Sequence, residues 1–197
     1  MPAIRFDDVT GTSTSDQPPP TPWAREYAAT RDRVCALLAD ASPAVAATPV
    51  PACPAWTVHD VVSHVAGLAV ALSSGNGPGG ADLQAWIDAL VDDRRGRPLA
   101  EVLDEWAAAA DATAALLGHM GAGGGQLTYD LVAHEHDIRH ALGRPGARDT
   151  SSVVACADAV SMLLARDLAA LGLPAVRVTS GGRTWDVGEG EPGLAVE

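Results

Sequence analysis

From Trp23 to Leu171 the apolar residues recur at helical spacing, and proline and glycine are what interrupt them. A chain patterned in this way has few options other than helices packed on helices. Aromatic residues are 4% of the chain, with a single Phe, so alanine supplies much of the 47% hydrophobic content. Alanine is the best helix former and lets helices approach closely, which points to an all-α core.

The interruptions predict the elements. Residues 1–20 end in Pro18-Pro19-Pro20 and read as a loose lead-in. Thr21 is placed to cap a first helix, with Pro22 at its first position and a stripe of Trp23, Tyr27, Val34, Leu37 and Leu38 running to about Asp40. The stretch from Ser42 to Pro54, with four prolines, reads as a loop. A second helix opens at Thr57, with Asp60 three residues on and Val58, Val61, Val62, Val65, Ala69 and Leu72 as its buried stripe. A short helix is expected over about 82–92, a long one over 99–120, another over 127–142 and a last one over 151–171, stopped by Gly172. Gly121 to Gly125 reads as a break. After Gly172 the period changes: Val176-Arg177-Val178 and Thr184-Trp185-Asp186-Val187 alternate around Ser180-Gly181-Gly182, a β-hairpin signal.

Charge removes several classes of partner. Thirteen basic against 25 acidic residues give a formal net charge of -12. A field of that sign repels nucleic acid and anionic membrane surfaces. No apolar run reaches the roughly 18 residues of a membrane helix. Cys35, Cys53 and Cys156 lie far apart and form neither a disulfide framework nor a CxxC pair, and the first residues lack a secretory layout. Both features lead us to expect a cytoplasmic protein.

Three polar residues do not fit a solvated face. In the helix from Leu127 the inward stripe is Leu127, Leu131, Ile138, Ala141 and Leu142, and Asp130 and His134 fall on it, one turn apart. Asp137 lies near the same line. His64 falls between Val61 and Leu68 on the inward side of its own helix. Two imidazoles and a carboxylate from neighbouring helices can ligate a divalent metal and leave a coordination position open, the catalytic pattern. A buried hydrogen-bonded cluster without metal fits the same spacing, so both readings stand at this point. His136 and His140 lie about 200–240° round the helix from His134 and face away. With Glu135 and Arg139 they are expected on an exposed or partner-facing side. His59 is expected to be exposed, and His119 to sit at a helix end as a dipole partner. Cys35 and Cys156 read as small core residues, Cys53 as part of a rigid proline loop and Trp56 as a packing anchor. No Gly-x-Ser-x-Gly elbow or phosphate-cradling Gly-x-x-x-x-Gly-Lys motif is present.

Two segments carry a resemblance. Val50-Pro51-Ala52-Cys53-Pro54-Ala55-Trp56-Thr57-Val58, continued by Asp60-Val61-Val62-Ser63-His64-Val65-Ala66-Gly67, resembles the start of the maleylpyruvate isomerase-like, mycothiol-dependent enzymes of the DinB/YfiT-like superfamily. So does Asp130-Leu131-Val132-Ala133-His134-Glu135-His136-Asp137-Ile138-Arg139 with the following Ala141 to Gly146. The resemblance covers about residues 22–172 and implies a four-helix bundle, here with additional short helices, holding a metal on His64, Asp130 and His134. The family usually has Glu where Asp130 stands. Val176 to Val196 resembles the opening of the small α/β domain that often follows the bundle. The expected division is therefore a lead-in over 1–20, a metal-binding bundle over 21–172 and a hairpin tail over 173–197, the truncated start of that domain.

The resemblance implies that a divalent ion, zinc above all, activates a low-molecular-weight thiol, mycothiol, for addition to an electrophilic small molecule. Elimination after bond rotation gives isomerisation; stopping at the adduct gives thiol transfer. Asp137 is a candidate to support a ligand from behind. Two other readings stay open: a non-catalytic helical binding or dimerisation module, and a metal-dependent hydrolase with water at the open position. A homodimer is compatible with either.

Overall fold

Thr57 opens the helix around which the rest of the molecule is built. Its hydroxyl accepts from the Asp60 backbone N–H at 3.2 Å, while its own backbone N–H donates to the Asp60 carboxylate at 2.9 Å. This reciprocal capping box satisfies two donors that a helix start would leave unpaired. The computed structural model describes residues 22–196, so the expected lead-in over 1–20 and the Thr21 cap lie outside the described residues.

The element order is α1 (Trp23–Leu38), α2 (Pro43–Ala46), α3 (Val58–Ser73), α4 (Leu83–Asp92), α5 (Leu99–Ala108), α6 (Ala110–His119), a 3-10 turn (Gly121–Gly123), α7 (Gly124–Ala141), α8 (Ser151–Leu171), β1 (Val176–Ser180), β2 (Arg183–Val187) and β3 (Leu194–Val196). The rods of the bundle are α1, α3, α7 and the α5–α6 pair, and α8 lies outside against α1 and α7. The expected all-α bundle with short extra helices is the observed fold. Val58, Val61, Val62, Val65, Ala66 and Ala69 of α3 are buried against Val34 and Leu38 of α1, Val102 and Trp106 of α5, and Leu131 and Ile138 of α7. Tyr27 accepts a hydrogen bond from the Trp106 indole at 3.1 Å, so both large side chains bury without an orphaned polar tip on that contact.

Four local expectations are corrected. The proline stretch contains a helical turn, α2, because Ser42 Oγ accepts from the Val45 backbone N–H. The long helix over 99–120 is two helices broken at Ala109, whose carbonyl receives both the backbone N–H and the hydroxyl of Thr113. Such back-bonding bends helices. The glycines before Leu127 do not stop the next helix: α7 already starts at Gly124. A Cβ on Gly125 would stand 2.9 Å from the Trp23 ring, so here glycine serves a close approach rather than a break. The hairpin forms as expected, β1 against β2, but β3 adds a parallel strand and gives a three-stranded sheet of order β2-β1-β3. The sheet rests on α8, with Val187 buried and the Trp185 indole donating to Asp158 at 2.7 Å.

Three ionisable side chains go deeper than the sequence pattern suggests. Glu26 of α1 is buried and accepts from Ser151 and Ser152 at the start of α8, and from Arg25. Burial alone would raise its pKa, but these hydrogen bonds and the Arg25 charge outweigh it and hold the carboxyl below its ordinary value. Glu135 of α7, expected on an exposed side, is wholly buried. Arg33 of α1 clamps it with contacts of 3.0 and 2.7 Å, and Arg139 donates to it at 3.0 Å. Arg94 is buried beside α3 and donates to Glu105.

Candidate functional site

The site forms where the middle of α3 meets the middle of α7. His64 is carried inward by the apolar stripe of α3, and its ring is buried. Its Nε2 lies 3.2 Å from Asp130 Oδ2. One turn along α7, His134 places Nε2 at 3.6 Å from Asp130 Oδ1. One donor atom from each of the three residues lies within 4.8 Å of the others, a grouping able to hold a metal ion. The sequence placed all three facing the interior. In the structure only His64 is fully buried, while the Asp130 side chain keeps 33% of its exposure. The cluster therefore opens to solvent on the Asp130 side, because α7 turns its fully buried stripe, Leu131, Glu135 and Ile138, away from it.

Asp137 stands behind His134, with Oδ2 at 3.0 Å from Nδ1. A histidine that gives its Nδ1–H to a carboxylate in this way presents Nε2 to a metal ion. Nε2, on the other edge of the ring, faces Asp130 Oδ1 at 3.6 Å. Ligands held at ~2.0–2.1 Å in a tetrahedral site stand about 3.3 Å apart, and the imidazoles stand at comparable distances from the carboxylate, His64 3.2 Å from Oδ2 and His134 3.6 Å from Oδ1. His64 Nδ1 is buried with no hydrogen-bond partner among the described residues, and Asp130 is the hydrogen-bonding partner of this ring among them. The residues fit a divalent ion.

The loop before α3 forms the rim. Val50 N–H donates to the Trp56 carbonyl, Cys53 N–H to that of Val50 and Trp56 N–H to that of Cys53, which makes the proline loop the rigid piece expected from its sequence. The Trp56 ring centroid is 5.1 Å from that of His64 and 6.2 Å from that of His134. Trp56 also packs on the core cluster, in keeping with a packing anchor. The sequence reading missed how near this loop brings Cys53: its thiol groups with His134 and Asp137 within 4.8 Å, a second donor set. Partial burial, then the charges of Asp137 and Asp130, push the thiol pKa up. No local signal betrays this proximity, because Cys53 and His134 are neighbours only through the α3–α7 contact.

The remaining candidates fall elsewhere. On the far side of α7 His140 is exposed, as expected, whereas His136 is half-buried. His59, expected to be exposed, is half-buried, with Nε2 at 2.8 Å from the Arg97 carbonyl and Nδ1 3.3 Å from Ser63 Oγ. His119 is exposed near a helix end and contacts the Ala115 carbonyl. Cys156 is buried, as a core residue should be, and burial pushes its thiol up to about 11. Cys35 is half-buried against the core. Among the described residues no helix is long and apolar enough to cross a membrane.

Comparison with known proteins places the chain in a family. The model of the mycothiol maleylpyruvate isomerase N-terminal domain matches residues 27–150, a span that contains all of α3 and α7, and the chain belongs to that family. Searches of curated proteins and of solved structures give no match.

Proposed function

We propose that this member of the mycothiol maleylpyruvate isomerase N-terminal domain family holds a divalent metal ion on His64, Asp130 and His134. The ion's task is to activate a low-molecular-weight thiol, mycothiol, for addition to an electrophilic carbon. The convergence of two imidazole nitrogens and a carboxylate within 4.8 Å carries this reading. A nitrogen–nitrogen–oxygen set suits zinc among the common divalent ions. A bound ion supplies a Lewis-acid position at which a thiol loses its proton at neutral pH.

The chain's own residues do the rest. Asp137 holds His134 in the tautomer that offers Nε2 and raises its basicity. Trp56 and the α3 core shield the His64 side from water, while the half-exposed Asp130 side admits the small molecules. Burial and the charges of Asp137 and Asp130 push the Cys53 thiol up, and in this reading the nucleophile is the incoming thiol. After the thiolate adds, elimination following bond rotation gives isomerisation, and release of the adduct gives thiol transfer.

The 3.2 Å His64–Asp130 contact also suits a metal-free hydrogen-bonded pair, and with it a non-catalytic module. Titration of zinc into metal-stripped protein separates the two. We expect one ion per chain, with binding lost in His134→Ala. Mycothiol consumption with chlorodinitrobenzene as a generic electrophile is expected to need the ion. Equal zinc binding by both proteins removes His134 from the site, and consumption indifferent to metal refutes the thiol-activating role.

A further inference from the structure

The acidic chain carries a concavity of opposite character. A pocket of about 410 Å³ opens on the face of α7 away from His134, where the end of α7, the loop from Gly143 to Arg148, the start of α8 and the end of β1 meet. Its charged and titratable lining is His136, Arg139, His140 and Arg148, with Ser180 across from them, and no carboxylate lines it. In a chain with 25 acidic residues against 13 basic ones this is a marked local inversion.

The cations here are not consumed by the protein. Arg139 spends Nε and Nη2 on Glu135, but Arg33 already grips both oxygens of that carboxylate. Two guanidinium groups thus face one carboxylate, leaving an uncompensated positive charge. Arg139 Nη1 makes no hydrogen bond among the described residues and points to Gly146, where a Cβ would stand 3.5 Å away. Arg148 has neither a hydrogen-bond nor an ion-pair partner among the described residues. The larger cleft beside α3, about 510 Å³, is different: its Arg95 is paired with Asp60 and Asp92, and its Arg97 with Glu105. The loop that presents Arg148 also holds a strained backbone: Ala147 has φ 57, a left-handed conformation rare for a residue with a Cβ. Thr150 Oγ1 donates to the Ala147 carbonyl at 3.2 Å and helps to hold it. Strain of this kind persists where surrounding structure fixes it and gathers at ligand-binding loops.

We propose that this pocket binds a small oxyanion, a carboxylate or phosphate group, held by Arg148 and the free edge of Arg139, with His140 and Ser180 at its rim. The site lies on the opposite face of α7 from the metal ligands and stands or falls independently of them. Guanidinium groups suit both anions because their planar donors match paired oxygens.

Isothermal titration of the full chain with inorganic phosphate, with succinate and with the neutral succinamide tests this. We expect saturable binding of at least one anion and none of succinamide; the tighter anion names the ligand class. Arg148→Glu is expected to weaken binding by roughly tenfold or more, the cost of removing one charged contact. Arg166→Glu, an exposed arginine of α8 that does not line the pocket, changes net charge equally and is expected to leave affinity within about twofold. His140→Ala provides a milder loss at the rim, and thermal melts followed by circular dichroism verify that each variant is folded. Absence of anion binding in the wild type overturns the proposal, as does equal weakening by Arg148→Glu and Arg166→Glu.

Discussion

His134 and Glu135 are consecutive residues of α7, and their surroundings could hardly differ more. Glu135 is wholly buried and fully answered: Arg33 binds it through two nitrogens and Arg139 adds a third contact. His134 faces an acceptor at 3.6 Å, beside a His64 ring with an unpartnered nitrogen and next to solvent. A charge that burial has made costly and partners have satisfied joins α1 to α7. Polar atoms arranged to converge, yet incompletely paired with one another, are available to an exogenous ion. The comparison teaches that burial alone does not tell the two places apart; the unmet valence does.

The strongest way to break the comparison is Glu135→Gln. It leaves Arg33 and Arg139 without their counter-charge, and loss of one partner of a buried pair costs ~3 kcal/mol or more. Urea denaturation is expected to show that loss, with zinc affinity of the folded fraction unchanged. A near-neutral stability effect would mean that the Arg33–Glu135 clamp does not join the helices. Asp137→Asn sharpens the other side. Losing the carboxylate behind His134 is expected to reduce zinc affinity about 10–100-fold with little effect on stability. An unchanged affinity would make the 3.0 Å contact incidental.

The smallest effect concerns acid. Glu26, Asp60 and Glu105 each sit below their ordinary pKa, where hydrogen bonds and arginine charges outweigh burial. Groups depressed by folding stabilise the native state fully above the unfolded-chain value near 4.5 for Glu and 3.8 for Asp, and that stabilisation is lost as pH falls through the lower folded value. Melting temperature is therefore expected to drop on acidification below about pH 4.5, less steeply in Glu26→Gln. A variant with an unaltered acid slope would remove Glu26 from the account.

What the sequence disclosed follows the range of the interactions involved. The capping box of Thr57 and Asp60 is local, and its helix starts where the spacing says. His64, Asp130 and His134 were legible because helical periodicity puts each on an inward stripe. Glu135 was not, since its clamp, Arg33, lies 102 residues away in the chain, and an i, i+4 Glu–Arg pair on its own reads as surface. Gly124 and Gly125 misled for a related reason: glycine before a helix signals a break unless a distant ring, here Trp23, needs the space. The three residues of β3 are too few to show a period, so the third strand emerges only from its pairing with β1. The loop that brings Cys53 to the site rim became visible only once α3 and α7 were set side by side.

The central claim, that an ion is held between α3 and α7, is most directly tested by zinc affinity and stoichiometry, measured against a chromophoric chelator in wild type, His64→Ala and His136→Ala, each shown to be folded by circular dichroism. One tightly held zinc per chain in the wild type and in His136→Ala, and none in His64→Ala, is the predicted result. Zinc retained with full affinity by His64→Ala would contradict it.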